Sequence, residues 1–516
     1  MKLNKYYIRF FLFVTAFCSI TFSCDKSIES SEKLTALQPT SLDEDAGNWN
    51  MIVLTSSTQI AVPAPADVTS DAYQAELTSI RDAQSHLTKQ QKQAIEYWSG
   101  GGVLRWNQIL RELVARFNLP PAPRADNTYP VPDAENPFAD PNFPFANPPY
   151  AARAYSYVAV AQYEALKAAW HYKYQYNRPA PYTAEGVQAF VPKTDLPSYP
   201  SEDAVLSGVT AEMLIALFPA AVEEITLKAG EQRSAALLSG KASSSDISAG
   251  LALGKAVASA VMARAGSDGM KSAIGTKAQW QALADGATNR GEEPWHSLET
   301  PPRPPMLPFF GQVKAWNMTA QQITAERPVA PPSTSSEEMK KQVEEVKYYA
   351  DHLTRERLSI VHKWADGAGT YTPPGHWNDI AEEYIRDAKF SEVRAARAFA
   401  LLNMAMHDAA VVCWETKYYY FNPRPSQMDP SIKTATGVPN FPSFVSGHST
   451  FSGAAATVLS YLFPDHTDYF NAQADEASVS RLYGGIHYRV DVEEGMKCGK
   501  NVGNHTISYG LNDGGN

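Results

Sequence analysis

From about residue 70 to 116 apolar positions recur at spacings of three and four, through Ala94, Ile95 and Trp98 and then Trp106, Ile109, Leu110 and Leu113. That is the period of a helix with one buried face. The same spacing returns from Tyr348 to Trp364, and the Pro pair in TPPGHWNDI (Thr372 to Ile380) marks where one helix stops and the next begins. Residues 120–149 (PPAP, YPVP, NPFADPNFP, NPPY) are too dense in Pro for helix and predict an irregular, extended covering segment. A second Pro cluster, Thr300 to Trp316, predicts a long connection packing across its neighbours.

The helical stretches repeat. ARAYSYVAVAQYEALKAAWHYKYQYNRP (Ala152 to Pro179) reads against ARAFALLNMAMHDAAVVCWETKYYYFNPRP (Ala396 to Pro425), with Arg153 on Arg397, Trp170 on Trp414 and Lys173 on Lys417, each 244 apart. At an offset of 245, PSYPS (197–201) meets PSFVS (442–446), Leu217-Phe218-Pro219 meets Leu462-Phe463-Pro464, and SDISAGLALGK (245–255) meets VDVEEGMKCGK (490–500). Trp106-Asn107 matches Trp377-Asn378 after a short insertion. An internal duplication of this kind predicts an all-α fold. Two helical bundles, 71–270 and 353–516, would be related by an approximate two-fold, with Pro-rich loops and a connection over 271–352.

Composition adds bounds. With 516 residues, 44% hydrophobic and 19% charged, the chain can bury a large core. A net charge of −10 with no Lys/Arg cluster argues against nucleic acid. MKLNKYYIRFFLFVTAFCSITFSC reads as an export signal, a basic start followed by an apolar run. Its Ser23-Cys24 end predicts lipidation at Cys24, a plain signal peptide or single anchor helix being the alternative. Residues 25–70 then read as a tether, polar and disordered at least to about residue 50. No later stretch reaches the roughly 18 to 20 apolar residues that span a bilayer, so the membrane is met only through the N-terminal anchor. Export and a bacterial cell-envelope location follow. Of four Cys, Cys413 and Cys498 lie outside the signal, too few for a disulfide framework and without zinc-ligand company.

The chemistry concentrates in three segments: KYYYFNPRP (Lys417 to Pro425), VSGH (Val445 to His448) and SRLYGGIHYRVD (Ser480 to Asp491). Lys417, Arg424 and Arg481 can surround an oxoanion with charge-assisted hydrogen bonds. Ser446 and the Gly447 N–H add neutral donors. If residues 487–491 are helical, His487 and Asp491 share a face, so the carboxylate holds one ring nitrogen and presents the other. His448 is left to move protons. Trp414, three before Lys417, either leans over the oxoanion or packs in the core as Trp170 would; Phe441 is a pocket wall. The repeat says which half works. Position 448 aligns with Asp203, 447 with Glu202, 481 with Ala236 and 487 with Ala242, whereas Lys173, Arg178 and Asp246 persist as relics. Carboxylates there repel an oxoanion, so the N-terminal half is structural and its surviving cations should pair with Glu202 or Asp203.

These segments resemble the signature of the type 2 phosphatidic acid phosphatase/vanadium haloperoxidase superfamily: Lys-x6-Arg-Pro, Pro-Ser-Gly-His and Ser-Arg-x5-His-x3-Asp. Lys417, Arg424 and Pro425 fit the first, and Ser480, Arg481, His487 and Asp491 the third; Val445 replaces the Pro of the second. The resemblance is nearest in layout to the two-bundle haloperoxidases. It implies vanadate held by Lys417, Arg424, Ser446, Gly447 and Arg481, with His487 as axial ligand, oxidising halide with hydrogen peroxide. The alternative it implies is a cofactor-free acid phosphatase in which His487 attacks a phosphomonoester and His448 protonates the leaving oxygen. A non-enzymatic surface lipoprotein is the third reading.

Overall fold

The computed structural model describes residues 32–119, 123–129 and 148–516. The export signal, Cys24 and most of the first Pro-rich stretch lie outside the described residues. Among the described residues the regular structure is helical, with no strand.

The N-terminal half contains α1 (Asp71–Ser85), α2 (Lys89–Ser99), α3 (Gly102–Phe117), α4 (Pro148–Tyr176), α5 (Glu202–Leu217), α6 (Val222–Leu238) and α7 (Ser244–Ala265). The connection forms α8 (Lys277–Asn289), α9 (Ala320–Ala325) and α10 (Glu337–Asp351). The C-terminal half contains α11 (Arg355–Lys363), α12 (Thr372–Asp387), α13 (Glu392–Tyr420), α14 (Pro425–Met428), α15 (Gly447–Leu462), α16 (Thr467–Tyr483) and α17 (Arg489–Gly510). The duplication is preserved to the residue. Helices α3 to α7 and their counterparts α12, α13, α15, α16 and α17 have matching lengths of 16, 29, 16, 17 and 22 residues.

Local chemistry repeats with the lengths. Ser201 caps α5 through Ala204 N and Ser446 caps α15 through Ser449 N, each at 3.3 Å. Arg153 holds Asp268 at 2.7 Å and its counterpart Arg397 holds Asp513 at 2.8 Å. Helix α7 lies on α5 as α17 lies on α15. Both contacts require glycine, because a Cβ at Gly254 would fall 2.4 Å from Val205 O and one at Gly499 would fall 2.2 Å from Thr450 O. The long helices α4 and α13 pack against each other, and a single apolar core runs through both halves.

Two expectations are corrected. The tether predicted over 25–70 is, from residue 32 on, a packed strap. Leu34, Trp49, Leu54 and Val62 are buried, and the buried Glu164 carboxylate accepts from the N–H groups of Ile52, Val53 and Leu54 at 2.8–2.9 Å. Its polar composition hid a few apolar anchors and a backbone that a distant carboxylate could satisfy. The connection packs on its neighbours as read from the sequence, and its α10 lies on α16. Finally, α7 is by length and composition apolar enough to cross a bilayer, yet its Asp246 is fully buried against Arg178 and its apolar face lies on α5.

Candidate active site

Four elements of the C-terminal half converge. The last turn of α13 supplies Lys417, the loop after it Arg424, the start of α15 Ser446, Gly447 and His448, and the end of α16 with the following loop Arg481 and His487. All three motif segments meet in one place. Lys417 donates to the carbonyls of Pro442 and Ser443, both at 2.8 Å. Arg424 donates to Phe441 O at 2.9 Å and Ile486 O at 2.8 Å, and its NH1 lies 3.1 Å from His487 Nε2. Arg481 donates to Trp364 O at 2.5 Å and, through Nε, to Ser480 Oγ at 2.9 Å.

His487 does not share a helical face with Asp491, as the spacing suggested. It sits in the loop before α17, and Asp491 lies in the first turn of that helix. The pair forms all the same, because the carboxylate folds back as a cap. Asp491 Oδ2 accepts from His487 Nδ1 at 2.8 Å, from Ser443 Oγ at 2.5 Å and from Tyr488 N at 3.2 Å. With Nδ1–H committed to Asp491, the lone pair of His487 is on Nε2, aimed at the cationic cage. Ser443 was not singled out from sequence; its signal was its place in the repeated PSFVS segment.

The cage carries uncompensated positive charge. Lys417, Arg424 and Arg481 are at most 1% exposed, and His487 2%. Burial, with Arg424 nearby, pulls Lys417 down to about 7. Burial also lowers Arg424 and Arg481, each to about 10, and takes His487 well below its usual range. The carboxylate at the site, Asp491, is itself raised by burial to about 6. Arg424 NH2 and Asp491 Oδ1 are buried without a partner. Space is left beside these groups: a Cβ added at Gly447 would come no nearer than 3.8 Å to Phe451 and 3.9 Å to Trp414. Gly447 and His448 open α15, so their N–H groups have no intrahelical acceptor, while Ser449 N is capped by Ser446 Oγ. Buried cations with spare N–H groups, a helix start and room for more atoms fit an oxoanion such as vanadate or phosphate.

Trp414 and Phe441 wall the cage, with rings 5.0 Å apart and Phe441 5.0 Å from both Lys417 Nζ and Arg424 Cζ. The connection braces this wall, because Met306 O accepts from Trp414 Nε1 at 3.1 Å and Tyr418 OH at 2.6 Å. His407-Asp408 is not part of the site. Asp408 Oδ1 lies 3.2 Å from His407 Nδ1, and its carboxylate accepts from the backbone N–H groups of Trp316 and Asn317 at 2.7 and 2.8 Å, pinning the connection.

His448 is the group at the edge, its side chain 15% exposed. Burial, then Arg481, lowers it to about 4. Its Nε2 lies 3.7 Å from Asp366 Oδ2, beyond hydrogen-bond reach, and has no other partner. Asp366 and His376 are the residues that sequence reasoning missed, since neither belongs to a spaced motif. Asp366 lies in the loop before α12 and His376 in the first turns of that helix, and the loop is held by the N-terminal half: Asn118 Nδ2 donates to Gly367 O and Thr370 O at 2.9 Å, and Gly369 N donates to Asn118 O at 2.6 Å.

In the N-terminal half the equivalent cations are paired internally. Lys173 donates to Glu202 Oε2 at 2.8 Å and Arg178 pairs with Asp246 at 3.1 Å. Lys241 bridges Glu202 at 2.9 Å and Asp203 at 2.7 Å. Protein carboxylates fill the place an anion would take, with Asp203 engaging Lys241 and not the two relic cations.

Comparison with known proteins agrees with this geometry. Residues 397–510 match the model of the PAP2 superfamily. A bacterial vanadium-dependent iodoperoxidase of known structure is 24% identical, covers 70% of this chain and 91% of its own, and superposes with a TM-score of 0.53. A bacterial vanadium-dependent chloroperoxidase in its holo form is 14% identical, covering 73% of this chain and 96% of its own, at a TM-score of 0.49. No curated protein sequence matches the chain. The resemblance drawn from the three motifs is thus met by a PAP2 superfamily match over residues 397–510, and the fold is shared with the bacterial vanadium-dependent iodoperoxidase.

Proposed function

We propose, from the PAP2 superfamily domain at 397–510, that this chain is a vanadium-dependent haloperoxidase-like enzyme that oxidises halide with hydrogen peroxide. The observation that carries this reading is a cationic cage buried to within 2% of full enclosure, with His448 as its one appreciably exposed member. Such a site suits an oxoanion approached by small reactants.

Lys417, Arg424, Arg481, Ser446 and the α15 N–H groups would hold vanadate through its oxygens, and His487 Nε2 would ligate it. When bound, vanadate supplies a Lewis acid that polarises peroxide towards attack by halide. The protein's own part is electrostatic and protonic. The cage neutralises negative charge without reorganising, because every cation is already fixed by backbone carbonyls. Asp491 fixes the His487 tautomer and stabilises positive charge on the ring. His448, neutral at working pH because burial lowers its pKa to about 4, is free to accept a proton from incoming peroxide at Nε2.

A second reading rests on the same His487–Asp491 contact. With a phosphomonoester in the cage, His487 Nε2 attacks phosphorus, the ester P–O bond breaks, and His448 must first carry the proton that goes to the leaving oxygen. A His448 pKa near 4 disfavours that role at neutral pH. Export, a lipid anchor at Cys24 and the absence of a nucleic-acid partner belong to the proposal on the strength of the sequence alone. The deciding experiment is a parallel assay of the pure protein, halide oxidation with vanadate and peroxide beside phosphoester hydrolysis without them. Hydrolysis alone would overturn the haloperoxidase reading.

A further inference from the structure

The loop between α11 and α12 carries one carboxylate that faces two histidines. Asp366 accepts from His376 Nδ1 at 3.1 Å through Oδ1 and 3.3 Å through Oδ2, and its Oδ2 faces His448 Nε2 at 3.7 Å. The His376 ring is stacked on Trp364 with centroids 4.2 Å apart and planes 20° from parallel. Trp364 O, in turn, accepts from Arg481. Three consecutive residues, 364 to 366, thus face an oxoanion-binding arginine at one end and the proton-handling histidine at the other. The loop is backbone-strained at both ends, with Asp366 at φ 45° and the β-branched Thr372 at φ 68°. Such conformations persist where surrounding structure enforces them, and they cluster at functional sites.

We propose that His376 is a positioning residue for the chemistry at His448, setting how much of the Asp366 carboxylate His448 can use. The inference rests on the reading of His448 as the group that moves the proton. Burial acts to raise Asp366, but the contacts with His376 and His448 outweigh it and bring the carboxyl down to about 2, so it is a full negative charge shared between two rings. While His376 Nδ1–H is bonded to it, Asp366 is held away from His448 Nε2, which stays unbonded and available to a reactant. Arg481 and His487 face His448 from the cage side, and Glu476 and Tyr371 lie on the His376 side. Of these, only Asp366 favours the protonated form of His448 at short range. Without the His376 donor, the carboxylate is free to close on His448 Nε2. The ring then becomes more basic, and Nε2 takes up a proton that it donates to the carboxylate, which withdraws it from accepting one from a reactant.

Two substitutions separate this role from simple packing. His376→Phe keeps a ring on Trp364 and removes the donor, whereas His376→Gln keeps a donor and removes the ring. In full-length, anion-free protein labelled with 13C at the histidine ring, the His448 titration in His376→Phe should move up by about one pH unit. The acid limb of the pH–rate profile should move the same way, with kcat down about tenfold at its acidic end and KM for peroxide unchanged. His376→Gln should restore most of both. A His448 titration unmoved in His376→Phe overturns the proposal, and so does a His376→Gln variant as impaired as the Phe variant. Should the pure protein neither oxidise halide nor hydrolyse phosphoesters, it is the proposed activity that fails, while the ring titration still decides whether His376 controls Asp366 and His448.

Discussion

Asn107 Nδ2 donates to Asn378 Oδ1 at 2.8 Å, and these two residues are each other's counterparts in the repeat. The approximate two-fold axis passes between them. The seam continues outward through Asn403, whose Nδ2 donates to the same oxygen at 2.9 Å, and through Arg111, which pairs with Asp379 and Glu382. A duplicated bundle meets itself here through buried amides, where any polar atom left unpaired is expensive.

Asn378→Ala should therefore destabilise the fold by about 1–3 kcal/mol, because Asn107 and Asn403 each lose a partner in a dry seam. Asn107→Ala should add less than its single effect when combined with it, as expected for residues in contact. Denaturant unfolding of the two single variants and the double variant measures both quantities. Full additivity would mean that the amide contact contributes nothing.

Glu202→Gln should cost more, about 3–5 kcal/mol, since it leaves the fully buried Lys173 ammonium without its counter-charge. Asp203→Ala should cost less, because its partner Lys241 is 32% exposed and can turn to water. Neither change should alter the oxoanion chemistry of the other half at a permissive temperature. An Asp203→Ala protein that is fully stable but inactive would contradict the division of labour between the halves.

Calorimetry with vanadate and with phosphate should find one competitive anion site per chain. Both ions offer tetrahedral oxygens to the same cage, and the N-terminal half has spent its cations on Glu202, Asp203 and Asp246. Two equivalent sites would refute this.

His487→Ala should abolish turnover in either chemistry, because ligation of vanadate and attack on phosphorus would use one and the same Nε2. The rest of the cage is intact in this variant, so phosphate should still bind, with reduced affinity. Near wild-type turnover would remove His487 from the mechanism.

The stabilisation contributed by Glu392 should decline as pH rises from about 4.5 to 7 in the anion-free protein, against the opposite trend from His448 and His487, whose folded-state pKa values are lowered. Glu392, which caps α3 through the N–H groups of Gly102 and Val103, is pushed up to about 7 by burial. Its folded-state pKa lies above the ordinary carboxyl value near 4.3, so the folded protein binds this proton more tightly. The contribution is complete below that ordinary value and lost as pH passes through the folded pKa. Glu382, raised to about 7, and Asp491, raised to about 6, act in the same direction. The stability gap between wild type and Glu392→Gln should therefore shift towards the variant between about pH 4.5 and 7, and thermal melts of both proteins across this range test the point; a gap that does not change with pH would contradict it.

The sequence by itself determined the helical architecture, the duplication and the motif residues of the cage. Apolar periodicity fixes helices locally, and paired segments at a constant offset reveal a repeat without any knowledge of packing. Lys417, Arg424, Ser446, Gly447, His448, Arg481, His487 and Asp491 were legible because their spacing carries the chemistry. Only the tertiary structure decided what joins distant positions that share no spacing. Residues 32–70 read as a tether because their few apolar anchors find partners more than 100 residues away, Glu164 among them. The His487–Asp491 contact arose from a helix-capping fold-back, not from a shared helical face, since the chain turns before α17 begins. Asp366 and His376 were silent in the sequence for the same reason. Their role comes from a loop brought to His448 by Asn118 of the other half, a contact across 249 residues that no local pattern encodes.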